Sequence, residues 1–302
     1  MQLQEKIEIL SVDLLDQHRP LVTALRKLAH TLRLDFGWHY LLDLTWIINR
    51  LGITKGKCIL DAGAGTGVLQ WYLADRGAEV LSVDRMSRAN LPLRFRSRFR
   101  VTGLRTQDLT PSYQVFRDNF SRSVNFRAKM TSQARDLISV AEPRRTSGRV
   151  VIYNQDLKSL REIQEDSLDA VVAVSALEHN PPEDLNIVVK ELMRVLKPGG
   201  VLLATLGAAR DQDWYHRPSS GWCYTDASLR SYFDLPANVP SNYSLYDELF
   251  ESLRGCTELR TNLARFYFQS GDNGMPWGIW DPKYQTVGVC KIKKTMGTES
   301  GG

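Results

Sequence analysis

The residues whose types and spacing hold the most chemistry are Asp61-Ala62-Gly63-Ala64-Gly65-Thr66-Gly67. A short apolar run, KCIL, leads into the aspartate, and VLQWYLADRGA follows the last glycine with helical spacing. Glycines at a strand-to-helix turn let the backbone bend sharply, and they let a ligand approach the main chain beside the positive end of a helix. The dinucleotide-binding fingerprint needs G-x-G-x-x-G, whereas this turn reads G-x-G-x-G behind an acidic residue. The plain alternative is a tight turn that binds nothing. A second stretch, LRFRSRFRV over residues 93–101, alternates apolar or small residues with Arg94, Arg96, Arg98 and Arg100. That alternation predicts a half-buried strand with one arginine face.

The elements that must position these residues follow from periodicity. Residues 3–34 carry apolar residues at helical spacing, with a break expected at Pro20, and GWHYLLDLTWIINRLG predicts a helix ending at Gly52. KCILDA, EVLSVD, RVVIYNQD, SLDAVVAV and VLLATLG predict buried strands, with LARFYFQ and QTVGVCKIK as two more near the C-terminus. EDLNIVVKELMRVLKPGG predicts a helix with a Pro-Gly-Gly stop, and Asn180-Pro181-Pro182 its start, with Asn180 as the cap. Short apolar strands alternating with helices indicate an α/β doubly wound, mostly parallel sheet.

The chain has 302 residues, is 43% hydrophobic and 24% charged, and contains no run of eighteen apolar residues, so no membrane span is expected. Its first fifteen residues do not read as a secretory signal. Four cysteines stand apart without CxxC or Cys/His grouping, which argues against a disulfide scaffold or a metal site and suits a reducing cytoplasm. The overall charge of +5 is uneven. Between Arg85 and Arg149, fourteen arginines and one lysine face four acidic residues, a net of +11, so the remainder carries −6.

LDAGAGTG, then VLSVD, then SLDAVVAVSALEH and LMRVLKPGG, in that order, resemble the class I S-adenosylmethionine-dependent methyltransferases, in the branch that holds many small-molecule enzymes. The likeness covers about residues 37–84 and 149–206. It implies one methyltransferase domain over residues 1–302, with a seven-stranded Rossmann-like sheet. The parts are a helical cap (1–52), an insertion between the second and third strands (85–149), and a C-terminal part with an acceptor-side loop (207–293). It also implies S-adenosyl-L-methionine as cofactor. The backbone of Gly63, Ala64 and Gly65, flanked by Ala62 and Gly67, would pass under the methionine part, with Asp61 near its amino group. Asp84, beside Arg85, would accept from both ribose hydroxyls, as a carboxylate can. Gln155, Asp156 and Leu157 would take the adenine, and Ser175 and Ala176 would face the sulfonium. Trp38, His39 and Tyr40 would cap the cofactor or simply pack.

His179, in Glu178-His179, is the candidate general base, with a structural role as the competing reading. Trp214, Tyr215, His216 and Trp222 are candidate substrate contacts in an aromatic loop. The insertion leaves three readings. It is a lid or homodimer element. It is an anion-binding wall where Arg94 and Arg96 meet a phosphate-bearing small-molecule or carrier-linked acceptor. Or it is a nucleic-acid surface, with RNA as the methyl acceptor. A helical stretch from Pro111 would follow LRFRSRFRV, with Val115, Phe116, Phe120, Val124 and Met130 as apolar contacts, and the tail after Lys294 is expected to be disordered. The non-enzyme alternative is a cofactor-binding partner protein without turnover.

Overall fold

The computed structural model describes residues 3–122, 146–269 and 274–295. In chain order the strands are β1 (Lys6–Ile9), β2 (Cys58–Ala62), β3 (Glu79–Asp84), β4 (Arg100–Gly103), β5 (Arg149–Asn154), β6 (Leu168–Val174), β7 (Leu196–Ala208), β8 (Trp214–His216), β9 (Gly221–Tyr224) and β10 (Gln285–Ile292). The helices are α1 (Leu14–Gln17), α2 (Arg19–Leu32), α3 (Tyr40–Leu51), α4 (Val68–Asp75), α5 (Leu93–Arg98), α6 (Ser112–Arg122), α7 (Pro182–Val195), α8 (Asp226–Tyr232), α9 (Tyr246–Arg254) and α10 (Thr257–Thr261). Two compact units result, residues 53–156 and residues 1–52 with 157–302.

In the 53–156 unit, β2, β3, β5 and β4 lie side by side in that order, all parallel. The cores of β2, β3 and β5 are mostly Val, Ile and Leu, as strands covered on both faces require, whereas β4 at the edge alternates exposed and half-buried residues. In the other unit β6 and β9 run parallel to β7, while β10 is antiparallel to β7 and β1 to β10. The expected class, α/β with a mostly parallel sheet, is what forms. Helix α3 lies so close on β10 that a Cβ at Gly288 would stand 2.6 Å from the Trp46 ring, so glycine is what the contact permits.

Several expectations are corrected. The described residues form ten strands rather than seven. LARFYFQ is not among them, because Arg265–Phe268 makes a 3-10 turn. Four short strands, β1, β4, β8 and β9, were not expected; β1 forms because Ile7 and Ile9 alternate inward along β10. Pro20 starts a helix instead of breaking one, since it occupies the first turn of α2, where its missing N–H has no helical partner to lose. Pro181, not Asn180, is the cap residue of α7.

The largest correction concerns LRFRSRFRV, which is helix α5 followed by β4 rather than one strand. Phe95 and Phe99 are four residues apart, a spacing that suits a two-residue and a helical period alike. Both rings land on Trp71 of α4, at 4.7 and 4.9 Å between centroids. The four arginines therefore do not form one row. Arg96 is 8% exposed and donates to the carbonyls of Leu91, Ala89 and Thr110, fixing the loop around it. Arg94 lies over the Phe95 ring at 4.7 Å, and Arg100 is exposed. Val115 is buried on α6 and Phe116 is half-buried; the side chain of Phe120, both Val124 and Met130, and the tail beyond Thr295 lie outside what is described.

Candidate functional site

The glycine turn of the 53–156 unit is held open by its neighbours. Gly63 and Gly65 have φ of +71° and +48°, values that side chains disfavour. Gly63 and Ala64 both donate to the carbonyl of Val83, tying the turn to β3. Asp84, at the end of β3, accepts from Gly65 N through Oδ2 and from Met86 N through Oδ1, each at 2.8 Å. Each oxygen keeps a further lone pair for a ligand hydroxyl. A Cβ at Gly65 would find nothing nearer than that Oδ2 at 4.0 Å, so the space beside the Gly65 Cα is open.

Beneath the turn lies a polar layer the sequence did not announce. Arg88 is 7% exposed and donates to Gly65 O at 3.1 Å, to Ser82 Oγ, to Ser82 O at 2.6 Å and to Tyr153 O at 3.3 Å. Gln70 donates to Gly67 O at 3.1 Å and accepts from Ser82 Oγ at 2.6 Å. Burial pushes the Asp61 carboxyl up to about 7; Arg88 draws it down and Asp84 pushes it higher. Burial also lowers the proton affinity of Arg88, with Asp84 and Asp61 opposing. Arg105 donates to Asp108, to Asn154 O at 2.8 Å and to Gln155 Oε1 at 3.3 Å, bracing the strand end next to Asp156. Arg85 and Asp156 are exposed, and Leu157 is half-buried.

The second candidate region belongs entirely to the other unit. A cavity of about 420 Å3 is lined by Trp38, His39, Tyr40, Ser175, Glu178 and His179 on one side, and by His216, Trp222 and Tyr284 among others. Ser175 has φ +45°, an uncommon value for a non-glycine residue, and its Oγ donates to Glu178 Oε1. Glu178 is 5% exposed, and its Oε2 has no hydrogen-bond partner among the described residues. Burial raises its proton affinity, while His179, Ser175 and His39 oppose that rise.

His39 lies at the start of α3, its Nδ1 2.7 Å from Asp43 Oδ2, and Thr286 Oγ1 donates to Asp43 Oδ1 at 2.6 Å. Burial works against a charge on His39, but the Asp43 carboxylate outweighs it and, with Glu178, raises its pKa. His179 is exposed, and its Nδ1 meets Ser220 O at 2.9 Å. A carbonyl only accepts, so Nδ1 carries the hydrogen and the lone pair is on Nε2. His216 bonds Ser219 Oγ through Nδ1, and burial lowers its pKa, with Lys283 adding to the drop.

Among the sequence candidates, Trp38, His39, Tyr40, Ser175, His179, His216 and Trp222 share this cavity. Trp214 is outside its lining, its ring 5.6 Å from His216, and Tyr215 is 44% exposed. Ala176 is half-buried next to Ser175. The glycine turn, Asp61, Asp84, Arg85, Gln155, Asp156, Arg94 and Arg96 all belong to the 53–156 unit. Sequence reasoning missed Arg88, Asp43 and Tyr284. His39 and Asp43, four apart at a helix start, had a readable spacing; Tyr284 had none.

Among the described residues no helix is long and apolar enough to cross a membrane. Residues 102–204 match the family described as "Methyltransferase domain". The ubiquinone biosynthesis O-methyltransferase of Acinetobacter baumannii (strain AYE) is 49% identical over 43 residues, 14% of this chain and 18% of that protein. The chain thus spans under a fifth of the curated relatives it matches. Among solved structures, the cyclase SpnF is 15% identical with a TM-score of 0.49, covering 97% of this chain and 100% of that one. A SAM-dependent methyltransferase from Methanosarcina mazei is 16% identical with a TM-score of 0.41, covering 82% and 97%. The chain thus joins a match to a methyltransferase domain over residues 102–204 with an α/β architecture and, before that segment, a glycine turn behind an acidic strand end.

Proposed function

We propose that the protein methylates a small or carrier-linked metabolite, at oxygen or nitrogen, with S-adenosyl-L-methionine as the donor. The observation that carries this reading is Asp84, which pins the glycine turn through Gly65 N while keeping lone pairs for two adjacent hydroxyls. The residues present fit the cofactor chemically. Gly63 to Gly65 offer close backbone approach, Asp61 a carboxyl for an amino group, Asp84 a ribose partner, and Gln155, Asp156 and Leu157 polar and apolar edges for adenine. Bound there, S-adenosylmethionine supplies a methyl group made electrophilic by a positively charged sulfur.

The protein's own contribution is to hold the acceptor, exclude water and receive a proton where the acceptor must lose one. His179 Nε2, with its tautomer set by Ser220 O, is the proton-accepting atom in this reading. Titration calorimetry of the intact chain with S-adenosylmethionine tests the core claim. Saturable binding should weaken about 100-fold in Asp84→Ala, the effect of losing two hydrogen bonds to a charged group; absence of binding by the unaltered protein overturns it. Mass spectrometry of cell extract incubated with isotope-labelled donor then identifies the acceptor. His179→Ala should lower turnover far more than it lowers cofactor affinity.

A further inference from the structure

We propose that the cavity of the 1–52 and 157–302 unit binds a basic amine on the acceptor, held as its ammonium by Glu178 among aromatic rings. This rests on the methyltransferase reading above. Glu178 is almost wholly buried, and one of its oxygens accepts from Ser175. The other, Oε2, is out of contact with solvent and meets no donor among the described residues. A buried carboxyl oxygen without a donor is a standing penalty, and because Glu178 lines the cavity, a turn of its carboxyl toward a ligand N–H would remove it. Among the described lining residues there is neither lysine nor arginine, while Asp35 and Glu178 contribute two acidic groups. The nearby imidazoles do not fill the need, because His39 is joined to Asp43 and His179 to Ser220 O.

The walls suit the same class of ligand. Trp38, Tyr40, Trp222 and Tyr284 line the space, and aromatic faces attract organic cations. Trp38 and Tyr284 pack edge to face at 5.3 Å, and Tyr284 packs likewise on His216 at 5.1 Å, so these walls are braced before a ligand arrives. Burial pushes both tyrosine phenols up, which keeps Tyr40 and Tyr284 neutral and spares the cavity further negative charge. A volume of about 420 Å3 is that of a small-molecule site. An anionic headgroup would meet a carboxyl and apolar rings in place of a guanidinium fork.

Three probes of one shape and different charge test the proposal: benzylamine, benzyl alcohol and benzoate, each titrated calorimetrically into the full chain without cofactor. Benzylamine should bind saturably, at least tenfold tighter than benzyl alcohol, with benzoate weakest. Glu178→Gln should erase the preference for the amine. Equal binding of the three, a preference for benzoate, no saturable benzylamine binding, or a preference that survives in Glu178→Gln each overturns the proposal. Should Glu178→Gln not fold by circular dichroism, the ranking on the unaltered protein decides. S-adenosylmethionine binding is measured separately, so failure of the methyltransferase reading and failure of the amine site give different results.

Discussion

The glycine turn and the aromatic cavity each contain a buried carboxyl whose proton affinity is raised by burial, Asp61 in one and Glu178 in the other. Their surroundings differ. Asp61 shares its layer with a buried guanidinium, and the carbonyls of the turn above it are met by Arg88 and Gln70. Glu178 faces rings, a serine and imidazoles, with one oxygen unmatched. The first region is preorganised by its own chain, so its shape should persist without ligand. The second leaves one carboxyl oxygen unmatched by the described residues of its own chain.

Four variants sharpen or break this contrast. Arg88→Ala leaves the carbonyls of Gly65, Ser82 and Tyr153 and two carboxyls without their cation, and should destabilise the fold by about 3–5 kcal/mol in urea unfolding. A loss below about 1 kcal/mol would show that the turn does not depend on it. Asp61→Asn mimics the protonated form. The folded value lies near 7 and the ordinary one at 3.8, so wild-type stability from this group is full below pH 4 and lost as pH rises through 7. The variant should match wild type at pH 4 and exceed it by up to about 4 kcal/mol at pH 8.5, read from thermal unfolding.

On the cavity side, Asp43→Asn removes the charge that raises His39. That contribution is full below the ordinary histidine pKa and lost as pH rises through the raised one. The variant should therefore lose about 1.5–3 kcal/mol at pH 5.5 and less at pH 9, with the His39 imidazole titrating lower by NMR. Arg100→Ala, at an exposed position of the basic segment, should change stability by less than about 0.5 kcal/mol. A larger loss would mean that the segment's charge is structural throughout.

Some of this was legible in the sequence because it is local. The glycine turn, the apolar strands ending in Asp61 and Asp84, and the Gly52 stop of α3 each follow from neighbours within a few residues. LRFRSRFRV was misread because a four-residue aromatic spacing satisfies two periods, and only Trp71 decides between them. Arg88 was hidden among arginines that composition treats alike, although one is enclosed beneath the turn and Arg100 is in water. The cavity was least legible. Tyr284 approaches His39 across 245 positions, and Thr286 reaches Asp43 across 243, pairings that only the β10 register creates.

The placement of Asp61 near neutrality has a calorimetric consequence. If a cofactor amino group seats against Asp61 as proposed, it favours the ionised form of a carboxyl that is half protonated at pH 7, so its uptake should expel a fraction of a proton into the buffer. The heat of binding would then track the ionisation enthalpy of the buffer, differing between phosphate and Tris at the same pH. In Asp61→Asn that difference should vanish, whatever happens to the affinity.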